Sequence, residues 1–364
     1  MNKSLLGFSF GALLLGSIVV TGCGSSTQAA PPAPQAPTLT TFVMIPNENN
    51  ATVSIRTLDV PSGKTVHLSS VATGNNPIML RSHPNQNFFY VANQGSSNLS
   101  SFVLNAQNGT ASQVGANVAG PPSVSSVMVH PSGRFVYAAG TLEIRGYEVQ
   151  NDGSLALIPA STVALTSPAN FDGAFSNNGA HLHIPLDNSL QTFSIDAVTG
   201  VLTATVNIPV VADELQQVKA VPNTNVLLAS ARRAGPDAIL PFSVSVNGVP
   251  SPEAGQDLTY EVAEIDVSRN GQLYTGVATG GQIFAFNVGV KGVLTAFANS
   301  PFGANGGGQL LRLDPSNIVV LSAFGNSLAS HLRLEGGDLT PAVDSPFADN
   351  INQPRFMDFL QFAQ

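Results

Sequence analysis

A unit of about 46 residues recurs along this chain, and this repeat restricts the possible folds more than any other feature. Each copy has an apolar strand, a turn rich in Asn, Gly, Pro, Ser or Asp, and a second strand, which is typical of a β-hairpin. A third and a fourth strand follow, as in LQTFSID and GVLTATV. The turns lie at Pro84, Pro131, Asn177, Pro222, Arg269 and Pro315. Successive turns are therefore 47, 46, 45, 47 and 46 residues apart. Four antiparallel strands in a unit of this length predict one blade of a β-propeller.

The two ends of the repeat region supply complementary parts of one more blade. Residues 354–364 match a first strand with nothing after it, whereas residues 41–72 match strands two to four without a first. Pairing these parts would leave no exposed sheet edge. A β-sandwich array or a solenoid, the alternative folds, would not need such half-units. We therefore predict an all-β, seven-bladed β-propeller over residues 41–364, closed by pairing of the N- and C-terminal strands in one blade.

The N-terminal segment predicts export of the chain. Lys3 precedes an apolar stretch, residues 5–20, which is short for a membrane span. The stretch ends in VTGC at Cys23, and this is the single cysteine of the sequence, so no disulfide framework competes for it. VTGC resembles the bacterial lipoprotein box; the alternative is an ordinary signal peptide with a chance cysteine.

The resemblance to the lipoprotein box implies cleavage before Cys23 and acylation of that residue. We expect a signal peptide over residues 1–22, and a lipidated Cys23 that begins a disordered tether over residues 23–40, which is rich in Pro, Ala, Gln and Ser. Gly24 stands where an Asp would imply retention at the inner membrane. The expected location is therefore the cell envelope, at the outer membrane or the surface, with the membrane as a partner of Cys23.

Charge and composition restrict the partners. The formal net charge is −8, and no segment carries a basic stripe. Nucleic acid is therefore not an expected partner. We expect a monomer that needs no cofactor, and whose partner is a small molecule or another envelope protein.

The first strand of each propeller blade lines a central channel, so alternate residues of that strand face inward. A ring of such positions lies three residues before the turns, at Arg81, Met128, Ala174, Lys219, Asp266, Arg312 and Asp358. A second ring on the same face lies two residues earlier, at Met79, Ser126, Asp172, Gln217, Glu264, Leu310 and Phe356. These rings predict a polar funnel that would bind an anionic ligand. The alternative is a solvated channel whose opposite charges compensate one another.

Several short motifs resemble the lactonase-type seven-bladed propeller family, which includes 6-phosphogluconolactonases and carboxymuconate lactonising enzymes. They are NSPFGAN (299–305), DSPFADN (344–350) and the inner turns HPNQNFFYVAN and HPSGRFVYAAG. The resemblance implies a channel His in a Pro-Arg-His-Leu motif and an acid after a second strand. Here Pro354-Arg355 is followed by Phe356, and Gln94 takes the place of the acid.

Asp172 and Glu264 are then the one carboxylate pair that we nominate for general acid–base catalysis of lactone hydrolysis. Arg232 and Arg233, in a loop between second and third strands, and Arg355 are expected to assist anion binding at the mouth of the channel. The alternative for such arginines is ordinary solvent exposure.

The remaining motifs predict structural roles. His181 and His183 share one face of a strand, but no third ligand is evident, so we predict no metal site. His83 and His130 precede turn residues and are expected to cap those turns by hydrogen bonding. The glycine-rich residues 303–308 lack the Lys and Ser or Thr of a phosphate-binding loop.

Three functions follow from these features. The leading hypothesis is an envelope-anchored, lactonase-like propeller that binds a small anionic ligand or a partner protein without established catalysis. The first alternative is a hydrolase of a sugar-acid lactone; export argues against a cytosolic 6-phosphogluconolactonase, whose phosphorylated substrate remains inside the cell. The second alternative is an assembly scaffold without enzymatic activity.

Overall fold

The computed structural model describes residues 39–363 apart from 280, 304–308, 349–350 and 352–353. The predicted signal peptide, Cys23 and nearly all of the predicted tether lie outside the described residues. Within them, short runs of β-branched and aromatic residues alternate with Gly- and Asn-containing turns and form seven antiparallel sheets. The described residues contain no helix that is long and apolar enough to cross a membrane.

Each sheet is one blade, whose strands run in order from the channel to the outer edge. Blade I contains both ends of the repeat region and consists of β31 (Asp358–Ala363), β1 (Leu39–Asn47), β2 (Thr52–Asp59) and β3 (Lys64–Ala72). Blade II consists of β4 (Pro77–Ser82), β5 (Phe88–Asn93), β6 (Asn98–Leu104) and β7 (Ala111–Ala119). Blade III consists of β8 (Ser126–Val129), β9 (Phe135–Ala139), β10 (Glu143–Val149) and β11 (Leu155–Ala164). Blade IV consists of β12 (Ala174–Phe175), β13 (His181–Pro185), β14 (Ser189–Ile195) and β15 (Leu202–Pro209).

The last three blades have a fifth short strand that continues the outer edge. Blade V consists of β16 (Glu214–Ala220), β17 (Val226–Arg232), β18 (Ala238–Val244), β19 (Pro250–Pro252) and β20 (Gln256–Asp257). Blade VI consists of β21 (Val262–Val267), β22 (Gln272–Val277), β23 (Gln282–Val288), β24 (Leu294–Ala296) and β25 (Phe302–Gly303). Blade VII consists of β26 (Leu310–Leu313), β27 (Val319–Phe324), β28 (Ser327–Arg333), β29 (Leu339–Pro341) and β30 (Phe347–Ala348). Short 3-10 turns lie at Glu48–Asn50, Gln94–Ser96 and Val290–Gly292.

The ring closes in blade I, as the sequence predicts. β1 pairs with β2 on one side and with β31 on the other, and the register places Thr41 opposite Gln361 and Val43 opposite Phe359. Strand β1 begins at Leu39, two residues before the predicted start of the propeller. The seven-bladed fold and its closure by terminal strands are thus confirmed.

The propeller has two unlike faces. The turns between first and second strands share one face with the turns between third and fourth strands. Arg134, in such a first turn, donates from its guanidinium to the carbonyls of Ala197 (3.2 Å) and Val198 (3.0 Å) in the β14–β15 turn of the next blade. We call this the turn face. The opposite face carries the loops between second and third strands and the connections between blades, and we call it the mouth face.

Apolar side chains pack between adjacent blades, where the sheets face one another. Leu182 and Phe193 of blade IV share a cluster with Tyr137 of blade III, for example. Buried tyrosines also tie neighbouring blades by hydrogen bonds from their hydroxyls, since Tyr137 donates to the carbonyl of Gly200 (3.0 Å) and Tyr274 to that of Gly337 (2.7 Å). The buried aromatic rings thereby fix the spacing of the blades.

The outer edges of blades VI and VII explain the repeated SPF motif. The fourth strand stops after three residues, and the chain then returns to the third strand as a two-residue pair, with Phe302 opposite Ile283. The Ser300 hydroxyl accepts a hydrogen bond from the Ala285 amide (3.1 Å), and the Ser345 hydroxyl accepts one from Ser330 (3.1 Å). The motif therefore satisfies backbone donors that a proline-interrupted strand leaves unpaired.

Candidate functional site

The inner strands bring charged side chains from different blades together at the centre of the ring. The Asp172 carboxylate is the hub, because its Oδ2 atom lies 2.6 Å from Arg81 Nη2, 2.5 Å from Lys219 Nζ and 3.4 Å from Arg312 Nη2. These residues belong to the inner edges of blades II, IV, V and VII. Such contacts between non-neighbouring blades are possible only across the axis.

Asp172 reaches the axis because the inner strand of blade IV is unusually short. β12 pairs with β13 only at Ala174 and Phe175, and the preceding residues pair instead with the next inner strand. The Phe171 amide donates to the Gln216 carbonyl (3.1 Å), and the Val218 amide donates to the Asp172 carbonyl (2.7 Å). This local parallel bridge moves Asp172 toward the centre.

The environment of Asp172 holds it as an anion. Burial disfavours the charged form, but the charges of Arg81, Lys219 and Arg312 outweigh burial and hold the pKa of Asp172 well below its usual value. A carboxylate with so low a pKa is a poor proton acceptor near neutral pH.

Glu264, the second predicted catalytic carboxylate, lies in a different environment. Arg312 Nη1 is 2.7 Å from Glu264 Oε1, and the Leu311 amide donates to Glu264 Oε2 (2.8 Å). Burial raises the pKa of Glu264 against the opposing charges of Arg312 and Lys219. Arg312 therefore bridges the two carboxylates, and the structure does bring Asp172 and Glu264 into one network.

Phe356 fills the space beside this network. The guanidinium carbons of Arg81 and Arg312 each lie 4.1 Å from the centre of its ring, within cation–π distance. Phe356, Asp172, Glu264 and Arg312 are all buried. The middle of the channel is thus packed with side chains and is not an open pore.

Several channel side chains also serve the backbone. Each inner strand is an edge of its sheet, and the backbone amides on its unpaired, channel-side edge need acceptors. The side chain of one blade supplies the acceptor for the next inner strand: Gln217 accepts from Ile265 (2.9 Å) and Asp266 accepts from Leu313 (2.9 Å). Asp358 accepts from Ser82 (2.8 Å) across the closure seam. Asp266 also lies 3.9 Å from Lys219 Nζ. Four predicted channel residues, Glu264 included, therefore hold neighbouring blades together.

A cavity of about 260 Å³ opens on the mouth face above the packed centre. Its lining combines aromatic and apolar side chains with amides and guanidinium groups. The lining residues are Met79, Phe171, Gln216, Gln217, Arg232, Val262, Ala263, Ala278, Gln309, Leu310, Pro354, Arg355 and Phe356. We call it the mouth cavity. It contains Gln217, Arg232 and Arg355 from the predicted binding set.

The mouth arginines are held by neighbouring carboxylates. Arg232 Nη1 lies 2.7 Å from Glu214 Oε2, and Arg355 Nε lies 2.6 Å from Glu48 Oε2. Arg233 pairs with Asp257 (2.5 Å) and does not line the cavity. Each pair uses one nitrogen of a guanidinium that carries five N–H donors, so further donors remain for a ligand.

Gln216 and Gln309 are cavity residues that the sequence does not predict. Pairing of β16 with β17 shifts register between Leu215 and Gln217, which marks a β-bulge at Gln216. Because the bulge breaks strict alternation, the adjacent residues Gln216 and Gln217 both line the mouth cavity. Oriented so that both amide atoms are paired, Gln216 accepts from Arg232 Nη2 (2.6 Å) and donates to the Val262 carbonyl (3.2 Å). Two adjacent glutamines, Gln216-Gln217, interrupt the alternation of this strand and are the signal that would reveal the bulge.

A second cavity, of about 310 Å³, opens on the turn side of the network. Arg81, Asp172 and Lys219 line it together with mostly apolar residues. Asp172 therefore lines the cavity on the turn side and does not line the mouth cavity. Glu264 lines neither of these two cavities.

The histidines take structural positions. The ring of His183 is buried and its Nδ1 lies 2.9 Å from the Thr192 hydroxyl; burial, together with His181, lowers its pKa to about 3. No cluster that could hold a metal ion occurs among the described residues. His83 and His130 accept the amides of Asn85 and Ser132, both at 3.1 Å, which confirms the predicted turn caps.

The fold and the site define a seven-bladed β-propeller with an internally neutralised channel and a polar mouth cavity. Residues 41–183 match the family described as "Lactonase, 7-bladed beta-propeller". The resemblance to lactonase-type propellers that the motifs indicate is thus confirmed.

Solved structures agree with this fold. A periplasmic gluconolactonase from Pseudomonas aeruginosa, PpgL, is 16% identical with a TM-score of 0.74, over 89% of this chain and 99% of that one. A proposed 6-phosphogluconolactonase from Bacteroides uniformis is 19% identical with a TM-score of 0.72, over 88% and 99%. A Lactobacillus plantarum protein is 15% identical with a TM-score of 0.75, over 88% and 99%. No curated protein matches the sequence.

Proposed function

We propose that this chain is an envelope-anchored, lactonase-like propeller that binds a small polyhydroxylated anion in the mouth cavity without turning it over. One observation carries the proposal: the cavity joins guanidinium groups, side-chain amides and exposed aromatic surface in a single concave site above a closed channel. Concave sites that combine apolar surface with convergent polar groups are typical of small-molecule binding.

The lining matches a sugar acid group by group. Arg232 and Arg355 supply charge-assisted donors for a carboxylate. Gln309 and Gln217 carry side-chain amides that hydrogen-bond hydroxyl groups. The Gln217 oxygen also accepts the Ile265 amide, so its NH₂ group is the part offered to a ligand. Phe171, partly exposed at the rim, offers an aromatic surface to the C–H face of a sugar.

The same geometry argues against hydrolysis by Asp172 and Glu264. A general base must reach the reacting water and must give up its other partners to take a proton. Asp172 is saturated by three cations, and Glu264 is engaged by Arg312 and by the Leu311 amide. Neither carboxylate lines the mouth cavity.

Calorimetric titration with gluconate and related sugar acids tests the binding site. We expect Arg232→Ala and Arg355→Ala each to weaken binding about tenfold, since each removes one charge-assisted contact. Arg233→Ala is the matched control, because Arg233 neighbours Arg232 and is also ion-paired but lies outside the cavity lining. Equal weakening by Arg233→Ala, or no binding of any sugar acid to the native chain, would contradict the proposal.

The anchor has its own test. Acylation of Cys23 is supported by the VTGC motif and by the absence of any other cysteine from the sequence. Membrane fractionation of cells should find the native chain in the membrane pellet and Cys23→Ala in the soluble fraction. Continued membrane retention of Cys23→Ala would remove the anchor from the proposal.

Lactone hydrolysis is the second candidate function, and its support is the structural likeness to the Pseudomonas aeruginosa periplasmic gluconolactonase. A lactone of a sugar acid has the size and the hydroxyl groups that suit the mouth cavity. Loss of measured lactone turnover in both Glu264→Gln and a correctly folded Asp172→Asn variant would favour this candidate over binding alone.

A further inference from the structure

Three consecutive blades carry a strongly exposed valine at equivalent positions. Val198 is 74% exposed, Val246 91% and Val290 85%. They lie in the turns between the third and fourth strands of blades IV, V and VI, on the turn face. Apolar side chains repeated at equivalent tips of adjacent turns give one face a regular set of apolar contact points, whereas single exposed apolar residues are ordinary. We call these residues the valine tips.

Two of the turns that carry the valine tips pack closely against the preceding blade. Gly200 and Gly292 have positive φ angles, 70° and 80°, and pack so closely on Phe135 and Pro241 of the preceding blades that a Cβ atom would collide there. Arg134 also donates to the Val198 carbonyl (3.0 Å). These contacts hold the turns against the propeller and leave the valine side chains at the surface.

The chain enters the propeller on the same face. β1 starts at Leu39, which pairs with Ala363, and Thr41 lies opposite Leu58 at the end of β2 that leads into the turn at residues 60–63. Fifteen residues separate Cys23 from Leu39. Even fully extended, that length of chain spans no more than roughly 55 Å. An acylated Cys23 would thus hold the propeller within that distance of the bilayer, and the chain would join it on the turn face.

We infer that the valine tips dock on the headgroup region of the membrane that holds the anchor, so that the mouth cavity faces away from the bilayer. The inference rests on the anchor proposed above. Anchoring raises the effective concentration of the turn face at the membrane, so a weak apolar contact becomes populated. Arg269, on the neighbouring inner turn, adds a cationic group that favours anionic lipid, whereas Lys291, next to Val290, is ion-paired with Glu253 (3.3 Å).

The test uses the full-length acylated chain in vesicles of phosphatidylethanolamine and phosphatidylglycerol. Because acylation blocks the thiol of the only native cysteine, single cysteines introduced as Val198→Cys, Val246→Cys and Val290→Cys accept an environment-sensitive fluorophore selectively. Val211→Cys is the matched control: it is 89% exposed but lies on the mouth face, in the connection between β15 and β16. A lipid-borne quencher should reduce emission at the three tips at least about twofold more than at Val211.

Equal quenching at Val211 and at the tips would overturn the inference. A blue shift of the fluorophore at the valine tips that depends on protein concentration, without quenching by the lipid-borne quencher, would also overturn the inference. That result would show that the valine tips contact a second copy of the chain. Mass spectrometry of Cys23 separates the two proposals: an unacylated Cys23 contradicts both the anchor and the docking, whereas an acylated chain with unquenched tips contradicts the docking alone.

Discussion

At the residue scale, Asp172 has more cationic partners than one carboxylate can neutralise. Arg81, Lys219 and Arg312 all approach the same oxygen, and Glu264 supplies the next nearest counter-charge through Arg312. Removing one member of a buried ionic network leaves the others desolvated and unpaired, and this is more costly than removing the network as a whole.

Asp172→Asn is therefore expected to lower the free energy of unfolding by about 3 kcal/mol or more. Glu264→Gln should cost less than half as much, because Glu264 is ion-paired with Arg312 whereas Asp172 contacts three cations, and a Gln oxygen still accepts the Leu311 amide. Urea unfolding at pH 7 measures both values. A larger loss for Glu264→Gln than for Asp172→Asn would contradict the assignment of Asp172 as the hub.

His183 predicts a pH dependence of stability. Its pKa is about 3 in the folded chain, against a normal value of 6.5, so between these values the unfolded chain binds the extra proton and stability falls as the pH falls. From pH 7 to pH 5 the expected loss through His183 is about 2 kcal/mol. His183→Gln should flatten the urea-measured stability profile by about this amount.

The exposed His67 provides the control for this profile. His67→Gln should keep the acid sensitivity of the native chain. If His183→Gln loses as much stability between pH 7 and pH 5 as the native chain does, the buried neutral state of His183 is wrong.

The channel rings illustrate how far residue-scale prediction reaches. Strict two-residue alternation places Arg81, Lys219 and Arg312 at the axis, and the structure finds them there together. Alternation fails at Gln216, where a bulge intervenes, so the mouth cavity is only partly predicted. The pairing of Asp172 with three cations depends on the parallel bridge to blade V, which no local pattern encodes.

At the element scale, the inner strands behave as sheet edges that are protected by side chains of the preceding blade. Gln217, Glu264, Asp266 and Asp358 each accept an amide of the next inner strand. Their polarity suggests a binding funnel from the sequence alone. The structure adds that the same oxygens satisfy buried backbone donors.

Asp358 allows this role to be tested at the closure seam. Asp358→Ala removes the acceptor of the Ser82 amide and should destabilise the chain by about 1–3 kcal/mol, whereas Asp358→Asn keeps an acceptor oxygen and should cost clearly less. Thermal unfolding of both variants gives the comparison. Equal losses for Ala and Asn would show that the charge of Asp358, and not its hydrogen bond, stabilises the seam.

At the scale of the whole molecule, closure converts two exposed edges into one paired blade. β31 is the inner strand of blade I, and its apolar side chains pack into two interblade clusters, with Phe359 in one and Leu360 in the other. The repeat spacing and the complementary ends predict this architecture because each blade needs the same four strands. The fold and its closure are therefore readable from sequence, while the ligand is not.

Deletion of residues 354–364 should remove the inner strand of blade I, leave the edge of β1 open and leave the Ser82 amide of β4 without its Asp358 acceptor. We expect a loss of cooperative unfolding and a tendency to associate through the open edge. Urea unfolding and light scattering measure these effects. A truncated chain that remains monomeric and unfolds as cooperatively as the native chain would show that closure does not stabilise the ring.

The carboxylates of this channel are engaged in structure, and we propose that the mouth cavity binds its ligand without hydrolysis. The most direct measurement is the rate of gluconolactone opening at neutral pH with the native chain in excess over the lactone. We predict the same rate as in buffer alone, while gluconate binds. Opening that is faster than in buffer and is abolished by Glu264→Gln would contradict this proposal.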